Sequence, residues 1–112
     1  MIMFSKIEDK KINELMNAIL LLKNSGEAKK FFRDLLTEKE LKEFGNRWKA
    51  ARMLSNNVLY TRIEKETGLS STTVARISKW LNNGKNGYNL IIKRIKGSAN
   101  HHSQLLVGKG LR

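Results

Sequence analysis

The sequence contains no cysteine and no proline. The first absence rules out disulfides, a thiolate nucleophile and thiolate metal ligands, and it fits a cytoplasmic protein, the expected location. The second leaves no residue that chemically forbids helix continuation. Long apolar runs are missing too. The longest, Ala18 to Leu22, falls far short of the roughly 20 residues that cross a bilayer, so no membrane partner is expected. The opening MIMFSKIEDK does not have the basic, apolar and small-residue order of a secretory signal. Carboxylates are few, ten in all, and none forms an acid–base or metal-binding set with a histidine. No catalytic residue, metal or cofactor is therefore expected, and the chain does not read as an enzyme. His101 and His102 are adjacent without further ligands and read as polar surface. Gly108-Lys109-Gly110 does not have the spacing of a phosphate loop.

What is present is positive charge. The 112 residues suit one domain, and the net charge is +12. Residues 1–56 hold twelve Lys and Arg against eight acids, whereas residues 57–112 hold ten against two. Such asymmetry points to a polyanionic partner. Charge alone does not separate DNA from RNA or an anionic membrane.

Apolar residues recur at helical spacing throughout, which predicts an all-α chain without internal repeats. Ser5 and Glu8 make a capping box for a first helix reaching about Asn24. Its stripe is Ile12, Leu15, Met16, Ile19 and Leu20, widened by Leu21 and Leu22. An apolar face this broad calls for two neighbours, one of them expected to be another subunit. After Asn24-Ser25-Gly26, residues Glu27 to Leu36 form a second helix burying Phe31, Phe32 and Leu35. Thr37 and Glu40 cap a third helix to about Ser55, with Leu41, Phe44, Trp48, Ala51 and Leu54 inward and Lys42, Asn46, Lys49 and Asn56 away from that face. Met16 and Met53 read as core filler. Gly45 inside this helix costs about 1 kcal/mol relative to alanine, which suggests a close backbone neighbour.

Residues 58–82 read as two short helices joined at Thr67-Gly68-Leu69-Ser70, a helix-turn-helix. Ile63, Leu69, Val74, Ile77 and Leu81 face inward. Gly68 suits the left-handed turn position, and Ser70 caps the second helix. Asn82-Asn83-Gly84 ends that helix, and Asn86-Gly87 marks a further turn. Tyr88 to Lys96 forms the last of six helices, with Tyr88, Ile91, Ile92 and Ile95 inward and Lys93, Arg94 and Lys96 outward. The expected organisation is a helical DNA-binding domain over residues 1–96 and a C-terminal tail or arm over 97–112.

The run LTEKELKEFGNRW from Leu36 to Trp48 matches the L-T-x-x-E-x-x-x-x-G-x-R opening of the Trp repressor superfamily. Glu66-Thr67-Gly68 and Thr73-Val74-Ala75-Arg76 match its turn and reading helix. Glu64, a charged residue where many helix-turn-helix proteins carry alanine, is a departure shared with that superfamily. From about Phe31 to Ile95 the chain resembles this superfamily, and within it the Trp-repressor-related YerC/YecD family. The resemblance implies a six-helix, intertwined homodimer whose two reading helices meet successive turns of a palindromic operator, about 34 Å apart.

On the second helix of the pair, the side opposite Val74, Ile77 and Leu81 presents Thr72, Arg76 and Lys79, with Ala75 beside them and Ser71 at the start. These are the candidate DNA contacts. Thr and Ala suit a thymine methyl, Arg a guanine O6/N7 pair and Lys a phosphate. Thr61 stands where the Trp repressor has a base-contacting arginine, and Arg62 beside it can substitute. The resemblance also maps a corepressor site onto Thr37, Arg47, Thr73 and Arg76. There, however, Ile77 replaces a glycine and Trp80 replaces a serine, so the space for a free tryptophan is predicted to be filled. Glu43, one turn before Arg47, offers it an i,i+4 partner, an account that needs no ligand. No small-molecule effector is named by the residues, and tryptophan is not expected.

The reading is thus a sequence-specific regulator of transcription binding double-stranded DNA, with repression the expected sign. Two alternatives stay open on the sequence alone. One is a basic RNA-binding or ribosome-associated protein, the other a protein-interaction module without base readout.

Overall fold

A computed structural model describes the backbone of residues 6–108 and the side chains of residues 9–98. The described residues form six helices: α1 Lys6–Ile19, α2 Ser25–Leu35, α3 Glu38–Ser55, α4 Tyr60–Thr67, α5 Ser71–Asn83 and α6 Gly87–Gly108. No strand occurs among the described residues. The chain divides into two compact units, Met1–Leu41 and Lys42–Arg112.

In the first unit α1 stops at Ile19, earlier than the apolar pattern predicts. The amides of Leu21 and Leu22 donate to the carbonyls three residues back, Ala18 and Ile19, so the last turn tightens into 3₁₀ geometry. Leu20 and Leu21 then lie outside the helix, 80% and 77% exposed, and do not extend a buried stripe. The start of α2 comes earlier than expected, because Asn24 rather than a later residue is its cap and accepts from Glu27 N–H at 2.9 Å. Phe31 and Phe32 are half-buried and meet edge to face at 5.6 Å, while Leu35 stays exposed, contrary to expectation. The capping box at the start of α3 forms in full. Thr37 N–H donates to Glu40 Oε1 at 2.9 Å, and Glu40 N–H donates to Thr37 Oγ1 at 3.1 Å. Those Thr37 hydrogen bonds, the backbone one foremost, hold the Glu40 carboxyl below its ordinary range. The Ser5–Glu8 capping box lies outside the described residues.

The second unit is organised around Ala50, Ala51, Ile63, Val74 and Ile77, with Trp48, Met53, Leu54, Val58, Leu69 and Tyr88 packed against them. Two fully buried alanines of α3 share this core with Ile63 of α4 and with Val74 and Ile77 of α5. Ala51 was expected there and Ala50 was not. Phe44, expected inward, is 50% exposed. A Cβ at Gly45 would meet nothing within 4 Å among the described residues, so none of them accounts for that glycine by close approach. At its C-terminus α3 ends in a Schellman motif. Val58 N–H donates to Met53 O, Asn57 N–H donates to Leu54 O, and Asn57 takes φ 61°, a left-handed value asparagine tolerates.

The α4–α5 turn is built as its residues predict. Gly68 has φ 74° and donates to Glu64 O at 2.8 Å. The buried Thr67 hydroxyl donates to Ile63 O and accepts from Leu69 N–H, which seals the turn from inside. Ser70 caps α5 by accepting from Thr73 N–H at 3.1 Å. Val74, Ile77 and Leu81 are buried along one stripe. Gly84 stops α5, where a Cβ would collide with the Trp80 carbonyl. After Asn86, at φ 70°, α6 packs against α5, tied to it by Asn89 Nδ2 donating to Leu81 O at 2.6 Å and tied to α3 by Tyr88 stacked 6.3 Å from Trp48. Ile92 is buried, but Ile91 and Ile95, expected inward, are exposed. The backbone of α6 runs on to Gly108, past the Lys96 end that its apolar pattern suggested. The side chains of His101 and His102, and Lys109 and Gly110 of the Gly108-Lys109-Gly110 segment, lie outside the described residues.

Candidate nucleic-acid interface

With Val74, Ile77 and Leu81 turned inward, the other side of α5 is committed to solvent. Ser71, Thr72, Ala75, Arg76 and Lys79 are all exposed. A shallow cleft of about 400 Å³ runs over this face, lined by Thr72, Ala75, Arg76, Lys79, Trp80 and Asn83. Four of those residues are candidates from the sequence. Trp80 and Asn83 are additions, and helical geometry explains both: each lies one turn beyond a candidate, at Arg76 and Lys79. On α4, Thr61 and Arg62 are exposed as well. The Arg62 side chain is 68% exposed, and its Nε donates to Glu66 Oε2 at 2.8 Å. Glu66 also faces Lys49 of α3, with Nζ 3.7 Å from Oε1. The Arg62 hydrogen bond, more than the positive charges of Arg62 and Lys49, holds the Glu66 carboxyl below the ordinary glutamate range. The exposed surface thus carries a fork-shaped cation on α4 and two cations with small polar groups on α5. Such a mixture can meet phosphate oxygens and base edges together.

On the inner side of Arg76 lies a second cleft. It has a volume of about 430 Å³ and is lined by Arg47, Thr73, Arg76, Ile77, Trp80, Lys85, Gly87 and Tyr88. Five of the six positions mapped onto a corepressor site therefore come together, while Thr37 serves in the capping box of α3. Of the two residues expected to fill the cleft, Ile77 turns into the core at 3% exposure and Trp80 stands on the cleft wall at 47%. Ile77 belongs to the buried stripe of α5, and Trp80 borders both clefts. Arg47 is engaged within its own helix, where its Nη2 donates to Glu43 Oε2 at 2.6 Å and the guanidinium lies 6.0 Å from the Phe44 ring centre. Lys85 and Tyr88 were not anticipated in this cleft. The Asn86-Gly87 turn that brings them there was legible, but its consequence for the cleft was not. Among the described residues no group of three or more His, Asp or Glu is placed to hold a metal, and no helix is long and apolar enough to cross a membrane.

Comparison with known proteins agrees with this geometry. Residues 10–96 match the family model described as Trp repressor protein. The chain is 38% identical over 91 residues to the uncharacterized protein YerC of Bacillus subtilis, covering 81% of this chain and 88% of that protein. A crystal structure of a TrpR-like protein from Eubacterium eligens superimposes with a TM-score of 0.74 at 34% identity, covering 78% of this chain and 90% of that one. A Staphylococcus aureus protein provisionally designated a Trp repressor gives the same TM-score of 0.74 at 33% identity, over 83% of this chain and 96% of its own. On these matches the chain belongs to the Trp repressor family, whose members are non-enzymatic DNA-binding regulators of transcription.

Proposed function

We propose that the protein works as a homodimer that reads a palindromic operator with α5 and represses transcription without tryptophan as corepressor. The observation that carries this reading is the division of α5 into a fully buried stripe and a polar, cationic face exposed along its length. A second helix of a helix-turn-helix with such a face suits the major groove, while the first helix crosses the backbone. A homodimer is supported by large apolar side chains left exposed in the single chain. Leu20, Leu21 and Leu35 are exposed in the first unit, and Phe44, Leu90, Ile91 and Ile95 in the second. Apolar groups of this number on one chain suit a protein surface rather than water. The exclusion of tryptophan is supported by Arg47, already paired with Glu43, and by the indole of Trp80 on the cleft wall.

Selection of binding sites from a random duplex library tests the reading. Two inverted half-sites with centres about one helical turn apart are expected. Equal affinity for every duplex and for RNA would defeat it. Sedimentation analysis of the free protein is expected to show a dimer, and a monomer at all concentrations would remove the palindrome argument.

A further inference from the structure

The ion pairs near the C-terminal end of α4 lie outside the reading helix, and through Glu66 they engage Arg62, the exposed arginine of α4. Arg62 and Glu66 are one turn apart on α4, and an intrahelical pair in water is ordinarily worth little. This one differs in its connection to α3: Glu66 is also held from Lys49, so the carboxylate is set between two helices. It engages the guanidinium through Nε. A guanidinium carries five N–H donors in one plane. With Nε occupied, the two terminal amino groups remain at the far end as an outward fork. Among the described residues neither terminal group donates a hydrogen bond, and the side chain is 68% exposed. A fork of this kind fits the two oxygens of a phosphate.

We propose that Glu66 is a positioning residue for DNA, holding the Arg62 guanidinium so that its terminal amino groups clamp a backbone phosphate where α4 crosses the strand. The assignment rests on the DNA-binding reading above and adds a role for an acidic residue. Acids are scarce in this half of the chain, only Glu64 and Glu66 from residue 57 onward. By charge alone, an acid on a DNA-facing surface repels phosphate, so its removal should strengthen binding. Positioning predicts the opposite sign once charge is held constant. That difference makes the proposal testable.

The experiment compares Glu66→Ala with Glu66→Gln, both of which remove the charge. Glutamine keeps an oxygen that accepts from Nε, and alanine does not. Affinity is measured for a 30-base-pair mixed-sequence duplex, and for any duplex enriched by library selection, at several salt concentrations. Glu66→Ala is expected to bind several-fold more weakly than Glu66→Gln, with a salt slope shallower by about 1 for each clamp lost. In an Arg62→Ala background the two Glu66 variants are expected to become equal, which isolates the pairwise effect. Lys49→Gln, with thermal unfolding of every variant, controls for the α3–α4 link, and an unfolding midpoint near that of the wild type is expected throughout. If Glu66→Ala and Glu66→Gln bind equally, and both more tightly than wild type, Glu66 acts through charge alone and the proposal is overturned. A wild-type chain that binds duplexes without preference overturns the operator reading but leaves the clamp to be judged by the same pair of variants. A wild-type chain that binds no duplex overturns both.

Discussion

Gly45→Ala and Gly68→Ala are the same chemical change, yet the structure assigns them opposite signs. Gly45 is inside α3, and a Cβ there would meet nothing within 4 Å. Only helix propensity then operates, and alanine should stabilise by roughly 0.5–1 kcal/mol. Gly68 also has open space for a Cβ, but its φ is +74°. Here the backbone conformation alone sets the effect, and a left-handed alanine costs roughly 1–2 kcal/mol. The two variants should therefore differ by about 2 kcal/mol, well outside the error of paired urea titrations. Because unfolding of an oligomer depends on concentration, both are compared with wild type at one protein concentration. Gly68→Asn should recover part of the loss, since asparagine enters the left-handed region more readily. A destabilised Gly45→Ala would mean that a backbone from another copy lies against α3. A neutral Gly68→Ala would mean that the α4–α5 turn relaxes out of its left-handed conformation, and the account of that turn would fail.

Thr37→Ala should cost about 1 kcal/mol through loss of the α3 cap, measured by chemical denaturation. The Glu40 carboxyl is lowered from 4.5 chiefly by the Thr37 backbone N–H. Its contribution is therefore complete above that pH and is lost as pH falls through the lower folded value. The stability gap between wild type and Glu40→Ala should be constant near neutrality and close on acidification, and a gap unchanged with pH would refute this. Lys79→Ala should weaken binding to all duplexes alike and reduce the salt slope by about 1, whereas Arg76→Ala should relax preference at one position of each half-site by roughly 1–3 kcal/mol. Calorimetric titration with tryptophan should show no saturable heat, and micromolar binding would overturn the exclusion of that ligand.

The helix-turn-helix was legible because each of its signals is local. Gly68 carries the turn, Ser70 the cap, and Val74, Ile77 and Leu81 recur at the period of one helical face. The α1 terminus was not legible, because Leu20 and Leu21 continue the apolar character beyond the last helical turn without a glycine or proline to mark the stop. Ala50 escaped notice since an alanine adds little to an apolar stripe, although close helix packing favours it. Phe44, Ile91 and Ile95 show a different limit. Their spacing reveals that they belong to an apolar face, but periodicity does not specify whether that face is covered within the chain. The clefts were the least legible. Residue matching brought Arg47, Thr73, Arg76, Ile77 and Trp80 to one place, but whether they enclose or fill a space depends on side-chain direction.

Side-chain direction also gives Trp80 a consequence for the surface proposed to face DNA. Arg76 and Trp80, one turn apart on α5, are the residues that border both the inner and the outer cleft. The indole therefore lines both clefts beside the exposed arginine, and shortening it opens both. Trp80→Ser is the direct test. At 47% exposure the indole leaves about half of its burial to lose, so the stability loss should stay well below the roughly 3–5 kcal/mol of a fully buried tryptophan. Duplex affinity should nevertheless fall, because Arg76 gains rotational freedom that must be given up again on binding. Restoring a flat side chain with Trp80→Phe should recover most of the affinity. If Trp80→Ser binds DNA like wild type while unfolding normally, the two clefts are independent, and the position of Arg76 is set by α5 alone.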